Sequence, residues 1–338
     1  MQQTILIMGA GSVGCYLGGV LAAAGAQVHF VGRPRVLQAL REQGLRISDL
    51  DGRDQRLPAA TLQLHEALPG GLLPSLTLLC VKSGATVEAA RQLSQALPAG
   101  AIVVSMQNGI GNAERAHEAA PALDWRAGMV PFNIAELGPG HFHRGTGGAL
   151  AVQSAPDDAA LSALQEGFAG QGLKLRLQPD LQAVQWGKLL INLNNPVNAL
   201  SGRPLRAELL ERGYRRCFAA LQAEALELLE AAGITAAQVT PLPPRKLIQL
   251  LRLPTPLFRL LAAKMLKIDA KARSSMADDL ALGRKTEIDA LSGEVVRLAQ
   301  RLGRQAPLNA RMLALVQAWP QRPQPYAPRE LEEALGIA

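Results

Sequence analysis

The sequence predicts an α/β domain built on a doubly wound sheet, followed by an all-α domain. Apolar, strand-like runs alternate with helical segments in the first half of the chain, which is the pattern of a largely parallel sheet covered by helices. Near residue 180 the strand-like runs stop and helical periodicity continues alone. The 338 residues also exceed the length at which a single hydrophobic core stops growing. We therefore expect an α/β domain over residues 1–180, a helical domain over residues 181–325 and a poorly ordered, Pro-rich tail over residues 326–338.

The chain opens with a strand, a glycine-rich turn and a helix. The apolar run Thr4–Met8 leads into Gly9-Ala10-Gly11-Ser12-Val13-Gly14, an Ala- and Leu-rich helix follows, and a second apolar run, Gln27–Val31, comes next. This is the context that the G-x-G-x-x-G dinucleotide fingerprint requires. Gly9 would permit the tight turn, Gly11 the close approach of a pyrophosphate, and Gly14 the packing of helix on strand. Residues 9–14 thus predict a Rossmann-type cofactor loop at a helix N-terminus, with an ordinary glycine-rich turn as the alternative.

The end of the second strand bears on which dinucleotide binds. Enzymes that use NAD usually place an acidic residue there, where it binds the ribose hydroxyls. Here the chain reads Val31-Gly32-Arg33-Pro34-Arg35 and has no carboxylate at that point. The planar, permanently charged guanidinium of Arg33 is suited to the 2′-phosphate of NADP. We therefore predict NADP(H) as the cofactor, with a solvated arginine in a basic loop as the alternative.

The rest of the first half adds strands and two hairpins. Strands are predicted at Leu76–Val81, Ala101–Ser105, Gly128–Asn133 and Ala149–Gln153. The polar stretches 45–52 and 138–148 are typical of hairpins, with Asp51-Gly52 as the first turn. His141 and His143 share one strand face in the second hairpin. We expect them at the surface and predict no metal site, because no cysteine or carboxylate cluster accompanies them.

Composition limits the partners and the compartment. Cys15, Cys80 and Cys217 lie far apart in apolar sequence, without the spacing of a metal site or a disulfide framework, and so predict buried thiols in a reducing compartment. No apolar run reaches the roughly 18 residues of a membrane span, and no basic segment precedes the first strand as in a signal peptide. We expect a cytoplasmic protein with no nucleic-acid or membrane partner.

The second half is predicted to be helical, with one helix over residues 207–232 that stops before Gly233 and another over Ser275–Leu302. Between them, residues 241–273 contain one acidic residue, Asp269, and eight basic ones, a difference that equals the net charge of +7. Such a segment can contact a membrane surface or nucleic acid, but a solvated helix face is its commoner meaning. No function is predicted for it. The basic residues are Arg245, Lys246, Arg252, Arg259, Lys264, Lys267, Lys271 and Arg273.

A lysine is the candidate proton donor of the second half. All five histidines lie in the first half, so a donor from the second domain is not histidine. Lysine can take this role because burial lowers its pKa towards neutrality. Lys188, Asn192 and Asn195 occur at i, i+4 and i+7 and would share one face of a helix that Pro196 interrupts. The stripe predicts one wall of a polar ligand site, with a solvent-facing stripe as the alternative.

A second polar cluster follows the basic segment. Ser275 and Asp278 have the spacing of a capping box, so Ser275 is predicted to cap a helix, and a cap at a cleft can also donate its hydroxyl to a ligand. Glu287 precedes an apolar, periodic stretch and is either a site carboxylate or a surface helix residue. We expect the active site to lie in a cleft between the two domains.

Several motifs occur together and in order along the chain. They are the G-A-G-S-V-G opening, Val81-Lys82-Ser83, Gln107-Asn108-Gly109, Trp186-Gly187-Lys188 with Asn192, and Ser274-Ser275-Met276 followed by Lys285-Thr286-Glu287-Ile288-Asp289. In this combination the chain resembles the ketopantoate reductase (2-dehydropantoate 2-reductase) family over roughly residues 1–318. The resemblance implies NADPH-dependent reduction of a small-molecule 2-keto acid, ketopantoate, to pantoate in pantothenate biosynthesis.

The resemblance also implies roles for individual residues. Lys188 matches the general acid of the family, and Glu287 matches its catalytic-site glutamate. The binding positions that match are Asn192 and Ser275 for the substrate, Asn108 for nicotinamide and substrate, and Arg33 and Lys82 on the adenosine side of the cofactor.

One position departs from the family pattern. The family has a second asparagine eight residues after the lysine, where this chain has Pro196, and Asn195 is the substitute candidate for substrate binding. The residues alone leave two other functions open: an NAD(P)-dependent D-2-hydroxyacid dehydrogenase acting on branched or aromatic 2-keto acids, and a non-catalytic NADP-binding regulator. They also leave open whether the protein is a homodimer.

Overall fold

The structure, a computed structural model, describes residues 3–154, 158–263, 265–266, 269 and 272–337. The chain divides into two compact units, one ending at Leu181 and the other beginning at Gln182. Three lysines of the basic segment, Lys264, Lys267 and Lys271, lie outside the described residues. Among the helices that are described, none combines the length and apolar character needed to cross a membrane.

The first unit alternates strands with helices. Its strands are β1 (Thr4–Met8), β2 (Gln27–Val31), β3 (Leu45–Asp49), β4 (Asp54–Leu57), β5 (Gln63–His65), β6 (Leu76–Leu79), β7 (Ile102–Ser105), β8 (Asp124–Met129), β9 (Ile134–Gly138), β10 (His141–Arg144), β11 (Leu150–Gln153) and β12 (Leu175–Gln178). Its helices are α1 (Ser12–Ala23), α2 (Pro34–Gln43), α3 (Thr86–Ala96), α4 (Asn112–Ala119) and α5 (Ala159–Ala169).

Eight strands form one sheet in the order β12-β11-β8-β7-β6-β1-β2-β5. The six strands from β8 to β5 in this order run parallel to one another. Strand β11 pairs with β8 in the antiparallel sense, and β12 runs parallel to β11. The chain builds first on one side of β1, with β2, and then on the other side, with β6. The loops after β1 and β6 therefore meet at the switch point where open α/β sheets bind ligands.

Both faces of this sheet are covered by helices. Successive residues of β1 point to opposite faces. Ile5 and Ile7 pack in one core with α1, α2 and α5, while Leu6 and Met8 pack in a second core with α3 and α4. The doubly wound sheet predicted from the sequence is therefore confirmed.

The two predicted hairpins come together in a second sheet, with the order β4-β3-β10-β9. Gly52 has a φ of 95° in the turn between β3 and β4, a conformation that favours glycine. The Oγ atom of Ser48 lies 2.8 Å from His141 Nε2 and 2.8 Å from His143 Nδ1, so both histidines have hydrogen bonds within this sheet. In the described part of the chain, no group of three His, Cys, Asp or Glu side chains is placed to hold a metal ion.

Cys15 and Cys217 are buried as predicted, whereas Cys80 is partly exposed. Cys15, Cys80 and Cys217 form no disulfide. Burial raises the pKa of Cys80 and of Cys217 to about 12, and it also raises the pKa of Cys15. These groups are therefore protonated at neutral pH, and a protonated thiol is a poor nucleophile.

The second unit is helical in its described part. Helix α9 lies at its centre and packs against α7, α8, α10, α13, α14 and α15. The helices are α6 (Gln182–Asn192), α7 (Asn194–Ser201), α8 (Leu205–Leu210), α9 (Arg212–Ala231), α10 (Pro244–Arg252), α11 (Thr255–Leu261), α12 (Ser275–Ala281), α13 (Ser292–Arg301), α14 (Pro307–Gln317) and α15 (Pro328–Leu335), with 3₁₀ turns at Ile288–Ala290 and Trp319–Gln321.

Both long helices predicted for this unit are broken. The helix predicted over residues 207–232 is split at Glu211, where buried Arg215 donates from Nη1 to the carbonyl oxygen of Leu209 at 2.9 Å. In a continuous helix the carbonyl of Leu209 would accept a hydrogen bond from a backbone N–H, and here Arg215 takes the place of that donor. The helix predicted over Ser275–Leu302 stops after α12, because Gly283 adopts a left-handed φ of 60°, and helix resumes only at α13.

The prediction of a poorly ordered tail over residues 326–338 is wrong for the part that the structure describes. Residues 328–335 form α15, in which Leu331 and Leu335 are fully buried on the same helix face. Tyr214 donates from its hydroxyl to the carbonyl oxygen of Tyr326 at 2.7 Å and ties the preceding segment to α9. The Pro-rich composition obscured a short amphipathic helix.

One strand lies earlier than predicted. β8 covers Asp124–Met129 rather than Gly128–Asn133. The first half of this strand contains two charged residues, Asp124 and Arg126, which form an ion pair at 2.7 Å. They interrupt the apolar run by which a strand is recognised in the sequence. Pro131 lacks the N–H that a longer strand would need.

Candidate functional site

The glycine-rich turn connects β1 to α1 at the switch point of the large sheet. Gly9 has a φ of 113°, and a Cβ atom there would lie 2.6 Å from the backbone nitrogen of Val81. A Cβ atom at Gly14 would lie 2.1 Å from the carbonyl oxygen of Gly9. Only glycine fits either position, so the predicted roles of Gly9 in the turn and of Gly14 in packing are confirmed.

The N-terminus of α1 is open to a ligand. A Cβ atom at Gly11 would meet no atom beyond its chain neighbours within 4 Å. The helix has no side-chain cap and no acidic residue in its first turn, and Ser12 and Val13 are partly exposed. Free backbone N–H groups in such a setting fit the pyrophosphate of a dinucleotide. Cofactor contacts by residues 9–14, Ala10 included, stay a prediction.

Arg33 stands where α2 begins and is exposed. The neighbouring turn is held by a hydrogen bond from the backbone nitrogen of Gly32 to the carbonyl oxygen of His65, at 3.1 Å. Arg35 forms an ion pair with Glu136 at 3.3 Å. The guanidinium of Arg33, by contrast, forms no ion pair with the residues that the structure describes. Its charge can therefore serve a ligand phosphate.

The loops that carry Lys82 and Asn108 are joined by buried hydrogen bonds around Gln107. The Nε2 atom of Gln107 donates to the carbonyl oxygen of Val81 at 2.9 Å and to the hydroxyl of Thr86 at 2.8 Å. The backbone carbonyl of Asn108 accepts a 3.0 Å hydrogen bond from Ser83 Oγ. The structure thus brings the two loops side by side. Gln107 belongs to the motif Gln107-Asn108-Gly109, but no separate role was predicted for it.

Lys188 follows a glycine that the packing of α6 requires. A Cβ atom at Gly187 would lie 2.2 Å from the carbonyl oxygen of Ala237. The same segment is tied to α6 by a 2.7 Å hydrogen bond from the backbone nitrogen of Ala237 to the carbonyl oxygen of Ala183. Trp186 is almost completely buried. These contacts fix the turn of α6 that presents Lys188.

Lys188 and Glu287 come together from distant parts of the second unit. Burial lowers the pKa of Lys188 to about 8, and the charge of Glu287 acts in the opposite direction and raises it. Glu287 lies immediately before the 3₁₀ turn Ile288–Ala290 rather than inside the helix predicted for it. An ammonium group with a pKa near neutrality holds a proton at pH 7 and can release it to a developing oxyanion.

The predicted polar stripe spans two helices rather than one. Helix α6 ends at Asn192 and α7 begins at Asn194, because Pro196 has no N–H to donate to the carbonyl of Asn192. The predicted interruption by Pro196 is confirmed, but the face that Lys188, Asn192 and Asn195 were expected to share is not continuous. All three are partly exposed. Substrate binding by the two asparagines stays a prediction.

Ser274, rather than Ser275, caps α12. The Oγ atom of Ser274 accepts a 3.2 Å hydrogen bond from the backbone nitrogen of Ala277. Ser275 is the first residue of the helix and is exposed. The capping role predicted for Ser275 was therefore wrong by one residue. Its hydroxyl is not used in the cap, and a role in ligand binding stays a prediction.

Two buried asparagines of α7 were missed from the sequence. Asn194 donates from Nδ2 to Glu208 Oε2 at 3.0 Å, and Asn198 accepts at Oδ1 from the backbone nitrogen of Ser274 at 2.9 Å. Both side chains lie next to the predicted site residues. The signal available in the sequence was the unusual density of asparagine in residues 192–198.

Two sequence profiles of one family match the chain, one for each unit. The profile described as "Ketopantoate reductase PanE/ApbA" matches residues 5–157. The profile described as "Ketopantoate reductase PanE/ApbA C terminal" matches residues 180–319. Together they cover most of both units.

Similar proteins agree with this match. A protein named 2-dehydropantoate 2-reductase from Halobacterium salinarum is 28% identical over 308 residues, which cover 88% of this chain and 92% of that protein. The crystal structure of a PanE/ApbA family ketopantoate reductase from Ralstonia eutropha has a TM-score of 0.77 at 30% identity and covers 93% of this chain and 97% of its own. A D-mandelate dehydrogenase has a TM-score of 0.75 at 19% identity, with 99% and 100% of the two chains covered. That last similarity shows a shared fold alone.

Proposed function

The chain belongs to the ketopantoate reductase family, and from that premise we propose that it reduces ketopantoate (2-dehydropantoate) to pantoate with NADPH. The relatives named 2-dehydropantoate 2-reductase match over most of the chain. A nicotinamide cofactor follows from the family, and the exposed Arg33 at the end of β2 favours its phosphorylated form.

The observation that carries the proposal is that the fold places Lys188 in a buried setting and within electrostatic reach of Glu287. Reduction of a ketone needs a proton for the alkoxide that develops at C2. With a pKa of about 8, Lys188 is mostly protonated at neutral pH, so its Nζ can stabilise the oxyanion and then protonate it. Bound NADPH would supply the hydride to C2.

The remaining polar residues suit the other groups of ketopantoate. The substrate has a carboxylate, a 2-ketone and a 4-hydroxyl. Asn192, Asn195 and Ser275 can hydrogen-bond the carboxylate and the keto oxygen without adding charge. Glu287 would repel the substrate carboxylate at short range. We therefore assign it to the 4-hydroxyl and to the electrostatics of Lys188.

The cofactor loop fits this assignment on steric grounds. Gly11 leaves the space beside the α1 N-terminus open, and the helix supplies unpaired N–H groups for the pyrophosphate. Lys82 and Asn108, on the loops after β6 and β7, are the further residues that we assign to cofactor contact. Asn108 is also assigned to the substrate.

The second asparagine is Asn195, one residue before the position that Pro196 occupies. Because this residue is assigned to substrate binding, its displacement is the reason to test one alternative substrate class. That alternative is a D-2-hydroxyacid dehydrogenase acting on branched or aromatic 2-keto acids. The test is the rate of NADPH and NADH oxidation with ketopantoate, 2-oxoisovalerate and phenylglyoxylate. The proposal expects the highest kcat/KM for ketopantoate with NADPH. A preference for phenylglyoxylate would support the alternative, and no turnover of any keto acid would support a non-catalytic role.

A further inference from the structure

Helix α7 and the start of α12 are locked together by Asn198. This side chain is fully buried. Its Oδ1 atom accepts a 2.9 Å hydrogen bond from the backbone nitrogen of Ser274, and its Nδ2 atom donates to the carbonyl oxygen of Arg203 at 2.9 Å. The amide therefore bridges two segments that are far apart in the sequence, and each of its ends has a backbone partner.

Ser274 adds a second link between the same segments. Its hydroxyl donates to the backbone carbonyl of Asn195 at 3.2 Å and accepts from the backbone nitrogen of Ala277 at 3.2 Å. One hydroxyl thus caps α12 and binds the first turn of α7. Because Ser274 is itself held at its backbone nitrogen by Asn198, the position of the cap depends on Asn198.

A buried hydrogen bond between Asn194 and Glu208 also holds the first turn of α7. Asn194 donates from Nδ2 to Glu208 Oε2 at 3.0 Å, and Glu208 is fully buried. Asn194 Oδ1 and Glu208 Oε1 have no partner in the described residues. A buried polar group without a hydrogen-bond partner lowers the stability of the folded protein. We therefore attribute the presence of Asn194 and Glu208 to the position of the first turn of α7, which they hold.

These contacts fix two residues assigned to the substrate. Asn195 lies one turn before Asn198 on α7, and Ser275 follows Ser274 directly at the start of α12. Both are at least partly exposed, whereas the residues that hold them are buried. The molecule therefore separates the residues that can meet a ligand from the residues that set their positions.

We propose that Asn198 is a positioning residue of the substrate site, which sets the distance between Asn195 and Ser275 through its hydrogen bond to Ser274. This inference rests on the proposed function, in which those two residues bind the 2-keto acid. Asn198 does not touch substrate itself. Its effect belongs to substrate binding more than to proton transfer, because Lys188 is presented by α6 and not by α7.

The test compares Asn198→Ala with Asn198→Asp. Loss of the acceptor towards Ser274 should raise KM for ketopantoate by about tenfold or more, with a smaller change in kcat and an NADPH Kd within about twofold of the parent. Aspartate keeps the acceptor, and in its protonated form it also keeps a donor for the Arg203 carbonyl. Asn198→Asp should therefore recover KM towards the parent value at pH 6, where Glu208, which faces Asn198 and whose pKa burial raises to about 8, is also protonated.

Asn309→Ala is the matched control. Asn309 is fully buried on α14, and its Nδ2 donates to Glu224 Oε2 at 2.8 Å and to the carbonyl oxygen of Leu221 at 3.3 Å. Its loss should destabilise the protein to a similar extent and leave KM unchanged. Equal increases in KM for Asn198→Ala and Asn309→Ala would mean general destabilisation and would overturn the proposal, as would an unchanged KM in Asn198→Ala.

Failure of the positioning role of Asn198 and failure of the proposed function give different experimental results. If the parent protein prefers another 2-keto acid, the assignment of ketopantoate fails, and the same variants are compared on the preferred acid. If the parent turns over none, the proposed function fails, and amide hydrogen exchange of residues 274–277 decides about the geometry. Faster exchange there in Asn198→Ala than in Asn309→Ala supports the link, and equal exchange contradicts it.

Discussion

Burial and Glu287 act on the pKa of Lys188 in opposite directions. Burial lowers the pKa to about 8, and the carboxylate of Glu287 keeps it from falling further. Lys188 lies on α6 and Glu287 lies directly before the 3₁₀ turn Ile288–Ala290, so only the fold brings them within electrostatic reach. The balance leaves an ammonium group that is mostly protonated at neutral pH but close to the point at which it gives up its proton.

A pH profile tests this balance. The protonated form of Lys188 is the active one in the proposed reaction, so kcat/KM should fall above pH of about 8, towards tenfold per pH unit. Glu287→Gln removes the charge that raises the pKa, and the descending limb should therefore move to lower pH. A limb that stays in place or moves upward in Glu287→Gln would show that Glu287 does not act on this proton.

Replacement of Lys188 tests the proton donor itself. Lys188→Ala should lower kcat by about a hundredfold or more, because general acid catalysis typically contributes that much. NADPH binding, measured by fluorescence titration, should persist. Lys246→Ala, at an exposed position of α10, is the control and should keep the parent kcat. A near-normal kcat in Lys188→Ala across the pH range would eliminate the assignment.

Arg33 and Arg35 form a matched pair for testing the cofactor. Arg33→Ala should weaken NADPH binding far more than NADH binding, since only NADPH carries the 2′-phosphate. Loss of a charge-assisted hydrogen bond is worth roughly 1.5–3 kcal/mol, or about tenfold to a hundredfold in Kd. Arg35→Ala should change neither affinity much, because Arg35 is paired with Glu136. Equal weakening of both cofactors by Arg33→Ala would refute the preference for NADP.

The first unit could be predicted well because its signals are local. Strand β1, the glycine turn and β2 follow one another directly, and the tightest constraint on Gly14 comes from Gly9 in the same turn. The bounds of both strands agree with the sequence prediction. Pairing of the two hairpins into a second sheet through β3 and β10 was not predictable, since nothing local in either hairpin specifies a partner so far away in the chain.

The second unit shows where local patterns stop being informative. Helical periodicity continued through Glu211, and only the buried guanidinium of Arg215 reveals why the helix breaks there. Ser275 had the spacing of a cap, yet Ser274 takes that role, and its backbone nitrogen donates to Asn198 on a distant helix. Lys188 and Glu287 were singled out separately, but the electrostatic effect of Glu287 on Lys188 depends on the tertiary fold, which no sequence spacing encodes.

Glu208 should reduce stability as pH rises. Burial raises its pKa from 4.5 to about 8, although Asn194, Asn198 and Arg215 act to lower it. Between these values the folded protein keeps the proton and the unfolded chain loses it, so the free energy of unfolding falls with pH, by at most about 1.4 kcal/mol per unit. Glu208→Gln cannot ionise, and its stability relative to the parent should therefore increase from pH 4.5 to pH 8 in urea titrations. The exposed control Glu227→Gln should show no such trend, and a flat difference for Glu208→Gln would contradict an ionisable group that is neutral in the folded state.

The 4-hydroxyl of ketopantoate, which we assign to Glu287, distinguishes a ketopantoate reductase from a D-2-hydroxyacid dehydrogenase. A carboxylate in a site that received only apolar keto-acid side chains would lose solvation without gaining a partner. Ketopantoate offers a hydroxyl donor, and 2-oxoisovalerate, which lacks the hydroxymethyl arm, does not. Sites built around a substrate hydroxyl can discriminate by up to ~10⁴, and in a partly hydrated site we expect kcat/KM to be at least ~10²-fold higher for ketopantoate.

Glu287→Ala separates this explanation from a simple difference in substrate size. If Glu287 binds the hydroxyl, its removal should lower kcat/KM for ketopantoate much more than for 2-oxoisovalerate, and the ratio between the two substrates should shrink. An effect on Lys188 alone would lower both values together, because proton transfer to the C2 oxygen is common to both. Comparable rates on the two acids in the parent protein, or a clear preference for bulky apolar acids, would instead favour a D-2-hydroxyacid dehydrogenase.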